Sequence, residues 1–424
     1  MRPRWLSRWL WGVALAAMVL AGAVRPVAAQ GTQAPITIGF GMALTGGLAP
    51  NGKAALLAMQ IWEEEVNAKG GLLGRPVKLV YYDDQSNPAT VPGIYTKLLD
   101  VDKVDLVVSG YATNMIAPAL PVIMQHKRTF LGLLGLSVNS EFNYPNYFSV
   151  GPTGGPKPKQ SFSKGFFEVA MAQDLKPQTL AIVGADAEFP RNAIEGAHEL
   201  AKEAGLKIVY DRTYPPATAD FTPIVRAIQA TNPDLVFVAS YPPDTVGMLR
   251  AASEVGLKAK LFGGGMVGLQ STAIKTQLGP LLNGIVDYDF WLPVGANATP
   301  EALDFLKRYQ ARASSAGVDA LGFYLPPFAF ADMQVLQEAV EGTNGLDQQK
   351  LADYLRSHTF KTVAGDIRFG PNGEWEEARV MEVQFQNVKG NDVEQFKDPK
   401  VEVVLWPPAL KSGEVIYPYE NARK

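Results

Sequence analysis

The chain has 424 residues, 47% of them hydrophobic and 19% charged, with no cysteine and a formal charge of −3. That composition describes a globular protein with room for more than one full core, and it excludes a disulfide scaffold, a thiol nucleophile and a thiolate metal site. A mildly acidic chain without a basic stripe is also a poor nucleic-acid binder.

In chain order, Arg2, Arg4 and Arg8 come first, then the uncharged, mostly apolar run 9–24, then Val27-Ala28-Ala29 before Gln30. The run falls short of the ~20 residues that span a bilayer, and Arg25 and Pro26 close it. Residues 1–29 therefore read as a cleaved export signal rather than an anchor. No cysteine stands after the cut to carry a lipid, and loss of the segment's four arginines takes the charge from −3 to −7. The mature protein is expected in the periplasm.

Strand and helix patterns then alternate. Residues 36–40 read as a strand, Leu44-Thr45-Gly46-Gly47 as a turn, and 53–68 as a helix with Ala54, Leu57, Ala58, Ile61, Trp62 and Val66 on one face. Pro50 and Gly52 are taken to delay that helix, and Gly70-Gly71 to stop it. A strand at 77–82 ends in Asp83-Asp84, a helix covers 89–101, and the β-branched run 104–108 is a buried strand. A short strand follows at 129–134. The breaker-rich stretch 151–156 suits a passage to a second lobe. Beyond it come helix 160–173, strand 179–183, helix 191–204, strand 207–210, helix 222–230, strand 234–239, helix 245–255 and strand 260–262. Such alternation predicts parallel sheets with right-handed crossovers. Residues 284–290 read as a strand returning to lobe one, followed by helices 300–315, 328–341 and 347–356. In the tail, 365–369 and 380–385 read as a β-hairpin about Pro371-Asn372-Gly373.

Two stretches resemble each other. Strand 104–108 stops at Ser109-Gly110 and gives way to a small polar loop, Tyr111, Ala112, Thr113 and Asn114, before a helix. Strand 234–239 runs into Tyr241-Pro242-Pro243-Asp244 before another. A hydroxyl loop at a helix start, where backbone N–H groups lack partners, favours an anion. The second copy offers a carboxylate. The pair suggests two lobes presenting opposite chemistry to one cleft.

Other chemistry finds little support. Gly39-x-Gly41-x-x-Leu44 follows a strand but lacks the third glycine of a dinucleotide fingerprint. His126, His198 and His358 show no paired-ligand spacing, and no nucleophile elbow or P-loop occurs. Glu63-Glu64-Glu65 reads as a solvated helix face, and Asp83-Asp84 as turn capping. No cofactor and no metal are expected.

The residues also match a family. Leu44-Thr45-Gly46, then Glu65-Val66-Asn67-Ala68-Lys69-Gly70-Gly71-Leu72-Leu73-Gly74-Arg75-Pro76, then Asp83-Asp84-Gln85 resemble the opening of branched-chain amino-acid type substrate-binding proteins, the exported receptors of ABC importers. Asp220-Phe221, Asn232-Pro233-Asp234, Gly256-Leu257 and Gly365-x-x-x-Phe369-x-x-Asn372-Gly373 follow in the family's order, so the resemblance covers about 36–385. It implies an α/β type I periplasmic-binding-protein fold, two Rossmann-like lobes joined by three crossing strands. Lobe one would hold 30–150 and 291–360, and lobe two 151–290 and 361–424. The resemblance further implies a carboxylate site at Tyr111, Thr113 and Asn114, a second lobe-one loop at Ser137 and Asn139, and an aromatic contact from Phe189. Tyr241 and Asp244 would face these from lobe two, with Asp244 holding an ammonium. Pro190 replaces the family's usual glycine, Tyr111 adds a ring, and Phe323-Tyr324-Leu325-Pro326-Pro327-Phe328 replaces a more polar segment. These departures leave room for aromatic acids or amides as well as amino acids.

The expected function is a monomeric receptor that delivers a small carboxylate-bearing ligand to an ABC importer permease, without catalysis. An extracellular hydrolase would need a nucleophile–base pair that the motifs do not supply. A sensory ligand-binding module would be expected to continue into a second apolar segment.

Overall fold

The computed structural model describes residues 34–423; the export signal read at 1–29 lies outside them. Five strands, β1 (Ile36–Met42), β2 (Val77–Asp83), β3 (Leu106–Tyr111), β4 (Phe130–Leu133) and β5 (Tyr147–Val150), form one sheet in the order β2-β1-β3-β4-β5. All its pairings are parallel, and β3 is buried along its whole length, as strands covered by helices on both faces must be.

The second sheet begins with β6 (Thr179–Ala185), β7 (Lys207–Tyr214), β8 (Leu235–Ser240), β9 (Leu261–Met266) and β10 (Val286–Asp289). A separate two-stranded ribbon pairs β11 (Thr359–Thr362) with β12 (Gly365–Arg368). The chain then returns to the second sheet as β13 (Met381–Phe385) and β14 (Glu402–Trp406), giving the order β14-β13-β10-β9-β8-β6-β7. β10–β13 and β13–β14 are antiparallel.

The chain passes between the lobes after β5, after β10 and after β12. Between the second and third passages, helices Pro300–Ala316, Leu325–Thr343 and Gln348–Ser357 pack against the first lobe. The middle one lies on helix Ala49–Ala68, where Trp62 Nε1 donates to Gln337 Oε1 at 3.0 Å.

Four readings need correction. β3 does not stop at Ser109-Gly110 but runs on to Tyr111. Ser109 stays in the strand because its hydroxyl is satisfied there, donating to the Gly110 carbonyl at 2.6 Å and accepting from Leu133 N–H at 2.7 Å. Gly110 is required by close approach, since a Cβ would lie 2.1 Å from the Gly41 carbonyl oxygen.

Residues 286–289 do not return to lobe one. They pair with β9 and β13, and the passage follows them. The tail hairpin is also absent as drawn. The Pro371-Asn372-Gly373 turn closes only a small loop with a Phe369–Trp375 bridge, while β12 pairs backward with β11 and β13 enters the other sheet. Finally, helices Ala49–Ala68, Pro158–Met171 and Pro242–Val255 start two to four residues earlier than read, each with proline in its first turn. Proline is tolerated there because the first helical N–H groups have no intrahelical partner to lose.

Candidate functional site

The ends of β3 and β4 face the ends of β8 and β10 across the cleft, and a cavity lies between them. From the first lobe it is lined by Tyr111, Ala112 and Thr113 and by the 134–136 turn. The Thr113 hydroxyl accepts from Leu136 N–H at 3.0 Å, which ties the two loops together. Ala112, between strand and helix, holds a φ of 91°. That value is strained for a residue with a Cβ, so the turn is imposed by its surroundings.

The opposite wall is aromatic. Phe189 opens helix Glu188–Glu203, Tyr241 caps helix Pro242–Val255, and Phe162 rises from helix Pro158–Met171. Phe162 meets Phe189 edge-on at 5.4 Å and Tyr288 at 4.8 Å; Tyr288 meets Phe290 at 4.8 Å. Phe290 in turn stacks on Tyr324 at 5.8 Å. Asp289 Oδ1 accepts from the N–H groups of Phe290 and Trp291 at 2.6 and 3.1 Å. That carboxylate therefore shapes the turn by which the second passage brings Phe290 to the cavity.

Three tyrosine hydroxyls meet at the centre. Tyr324 lies 3.4 Å from Tyr111 and 3.2 Å from Tyr288, oxygen to oxygen. Burial pushes Tyr111 up to about 12 and raises Tyr288 and Tyr324 well above the ordinary tyrosine value, so all three keep their protons. The cavity they help enclose measures about 20 Å³, room for about one water molecule. A larger occupant has to part these walls. Among the described residues that line the cavity, seven carry aromatic rings and none is charged.

The residues anticipated from sequence fall into two groups. Tyr111, Thr113, Phe189 and Tyr241 line the cavity. Asn114 stands just behind it, and its Oδ1 accepts from the Tyr241 hydroxyl at 2.6 Å. Ser137, Asn139 and Asp244 do not line it.

Ser137 and Asn139 border a separate surface groove. Asn139 holds a turn there: its Oδ1 accepts from Tyr144 N–H at 2.8 Å, and its Nδ2 donates to the Tyr144 and Asn372 carbonyls at 3.0 Å each. Asp244 belongs to a neighbouring groove shared with Asn114, Glu188, Arg191 and Tyr241. Its Oδ2 accepts from the Tyr214 hydroxyl at 2.6 Å, and burial raises its pKa. Asp83 caps the turn beside this groove, accepting from Leu44, Thr45 and Gln85 N–H groups.

Sequence reading did not single out Phe162, Tyr288 or Phe290. The signal available was the cluster Tyr288-Asp289-Phe290-Trp291 at a strand end, where α/β folds place ligands.

Residues 35–390 match the family model of periplasmic binding proteins. The chain belongs to that family. It is 26% identical over 389 residues to the Leu/Ile/Val-binding protein homolog 8 of Brucella abortus, covering 89% of this chain and 93% of that one. Among solved structures, a solute-binding protein of an R. palustris ABC transporter in complex with 4-hydroxybenzoate superposes with a TM-score of 0.74. It is 18% identical and covers 92% of this chain and 100% of its own. The branched-chain amino-acid substrate-binding protein of Streptococcus pneumoniae, in complex with isoleucine, gives 0.71 at 18% identity, covering 91% and 100%. The two-lobed α/β architecture is that of type I periplasmic binding proteins. The chain is thus a solute receptor by family, with its cavity between the lobes.

Proposed function

We propose that this periplasmic binding protein captures a small aromatic carboxylate that lacks an amine, and delivers it to the permease of an ABC importer. One observation carries the reading: seven aromatic rings and no charged side chain line the interlobe cavity. An ammonium taken from water into such walls would have no counter-charge, which costs several kcal/mol. Asp244, the acid that could supply one, is bonded to Tyr214. A planar ring, by contrast, meets edges and faces of its own kind, worth about 0.5–1.5 kcal/mol per pair beyond burial.

In this reading the Thr113 hydroxyl and the backbone N–H groups of Thr113 and Gly135 hold the ligand carboxylate, while Phe162, Phe189, Tyr241 and Phe290 clasp the ring. The protein acts without catalysis, as an exported monomer in the periplasm. Residues 30–150 with 291–360 make one jaw, and 151–290 with 361–424 make the other. The 4-hydroxybenzoate complex of the R. palustris protein supports the ligand class by analogy of fold.

Calorimetric titration with benzoate, leucine and phenylalanine tests the proposal. Benzoate is expected to bind and the two amino acids to bind at least about ten-fold more weakly. Tighter binding of leucine or phenylalanine would return the site to amino acids.

A further inference from the structure

We propose that the hydroxyls of Tyr111, Tyr288 and Tyr324 form a second polar anchor in the cavity, one that selects a ring hydroxyl, so that the ligand is a hydroxylated aromatic carboxylate. The inference rests on the aromatic-carboxylate reading above and narrows it.

The three hydroxyls come from three separate elements. Tyr111 ends β3, Tyr288 sits within β10, and Tyr324 precedes helix Leu325–Thr343. Their convergence is therefore a product of the fold rather than of local sequence. Their mutual separations, 3.4 and 3.2 Å, exceed the roughly 2.7–2.8 Å usual for O–H···O bonds. They face one another loosely, without closing to optimal contact.

Each phenol carries one donor and can accept as well. Two mutual contacts and the contact of Tyr111 with Asn51 leave acceptor capacity unused. A hydroxyl on the ligand both donates and accepts, so it can sit among the three and shorten every bond. A bare ring edge can do neither, and it would separate the phenols without replacing their bonds. Burial keeps the phenols protonated throughout the physiological range, so the anchor is neutral. It favours a hydroxyl over a second carboxylate, which would enter these walls without a cation.

Two other polar side chains among the described lining residues are already engaged. Thr113 accepts from Leu136 N–H, and Tyr241 donates to Asn114. Apart from the Thr153 hydroxyl, the remaining lining is hydrocarbon or backbone.

The test titrates the mature chain with benzoate and with each of the three hydroxybenzoate isomers. Tyr288→Phe and Tyr324→Phe variants are run beside it, with melting curves to verify folding. At least one isomer is expected to bind the parent about ten-fold more tightly than benzoate. Each variant is expected to lose about five-fold of that preference, read as the ratio of hydroxybenzoate to benzoate affinity. Equal binding of benzoate and all three isomers to the parent would overturn the inference and leave the aromatic-carboxylate reading standing. Variants that weaken all four acids alike would overturn it too, reducing the tyrosines to braces between the lobes. Binding of leucine or phenylalanine with none of the four acids would overturn the broader reading itself, a separately recognisable result.

Discussion

The Tyr241 hydroxyl donates to Asn114 Oδ1 at 2.6 Å, and this bond joins the loop after β8 to the loop after β3. Equivalent turns of two similar lobes thus touch directly. A second bond crosses nearby, from Asn192 Nδ2 to the Leu136 carbonyl at 2.9 Å. Both can form only when the lobes are drawn together, so they stabilise the closed arrangement in preference to an open one.

Tyr241→Phe removes the first of these bonds while keeping the ring against Phe189, 5.7 Å away. The Asn114 oxygen loses its partner, a cost of about 1 kcal/mol. Ligand binding is expected to weaken about five-fold, and small-angle scattering of the ligand-free protein to give a larger radius of gyration. An unchanged radius and affinity would mean that the bond is immaterial to closure.

Asp244 gives the second prediction. Asp244→Asn keeps an oxygen that can accept from Tyr214 and leaves the cavity lining intact. Affinity for benzoate is therefore expected to stay within about two-fold of the parent. A ten-fold loss confined to amine-bearing ligands would instead show that the carboxylate swings into the cavity.

That residue also marks where sequence ceases to be informative. Spacing placed Asp244 in the loop between a central strand and the next helix; the structure draws it into that helix's first turn. Spacing carries nothing about the Tyr214 hydroxyl, which arrives from the far end of β7 and takes the carboxylate. The same limit applies to Asn139, found in the right loop but bonded into the turn at Tyr144. Strands β1, β2, β6 and β8 were legible because each is a compact β-branched or apolar run between breakers. β3 was cut short because serine and glycine read as a stop, whereas Ser109 finds partners inside the sheet. Of the parts of the cavity missed, Tyr288 and Phe290 were lost because 284–290 was read as returning to lobe one, and Phe162 because only the fold brings its helix to the cleft.

Gly110→Ala tests that central strand. The added methyl would stand 2.1 Å from the Gly41 carbonyl oxygen, a clash with backbone that cannot rotate away. A loss of about 2–3 kcal/mol is expected, read as a lower melting temperature. Because Gly110 is the residue before Tyr111, displacement of β3 should also weaken binding. A variant that melts like the parent would mean that β1 and β3 separate more easily than their packing implies.

Glu188 supplies a pH dependence. Burial, followed by the Glu141 carboxylate, raises it from 4.5 to about 7, against the opposing pull of Arg191 and Lys159. A carboxyl raised in the folded state favours that state fully below pH 4.5, and the advantage fades as pH climbs through about 7. Glu188→Gln stays neutral and escapes this loss. The variant's melting temperature is therefore expected to gain on the parent's between pH 4.5 and 7 and to hold that gain above. Parallel melting curves across the window would show that Glu188 ionises freely.

Asp319 offers the last test, on the loop that presents Tyr324. Its two oxygens accept four bonds: from Thr272 N–H at 2.6 Å, the Thr272 hydroxyl at 2.9 Å, Leu321 N–H at 3.1 Å and Gly322 N–H at 2.8 Å. The first two come from the start of helix Thr272–Leu278 beside the second sheet, and the last two from its own loop. One carboxylate thus folds the 319–322 turn and moors it to the opposite lobe, two residues before Tyr324. Asp319→Ala removes all four acceptors and leaves the nearly buried Thr272 N–H unpaired, at a cost of about 1–3 kcal/mol. Because the damage concentrates where Tyr324 meets Tyr111 and Tyr288, ligand affinity should fall about ten-fold. Hydrogen exchange should quicken across 317–324 while the central strands stay protected. Asp319→Asn, which keeps one accepting oxygen, should fall between parent and alanine variant. Uniform faster exchange throughout the protein would make Asp319 a general stability residue, and unchanged exchange at 317–324 would show that the loop is held by its packing rather than by this carboxylate.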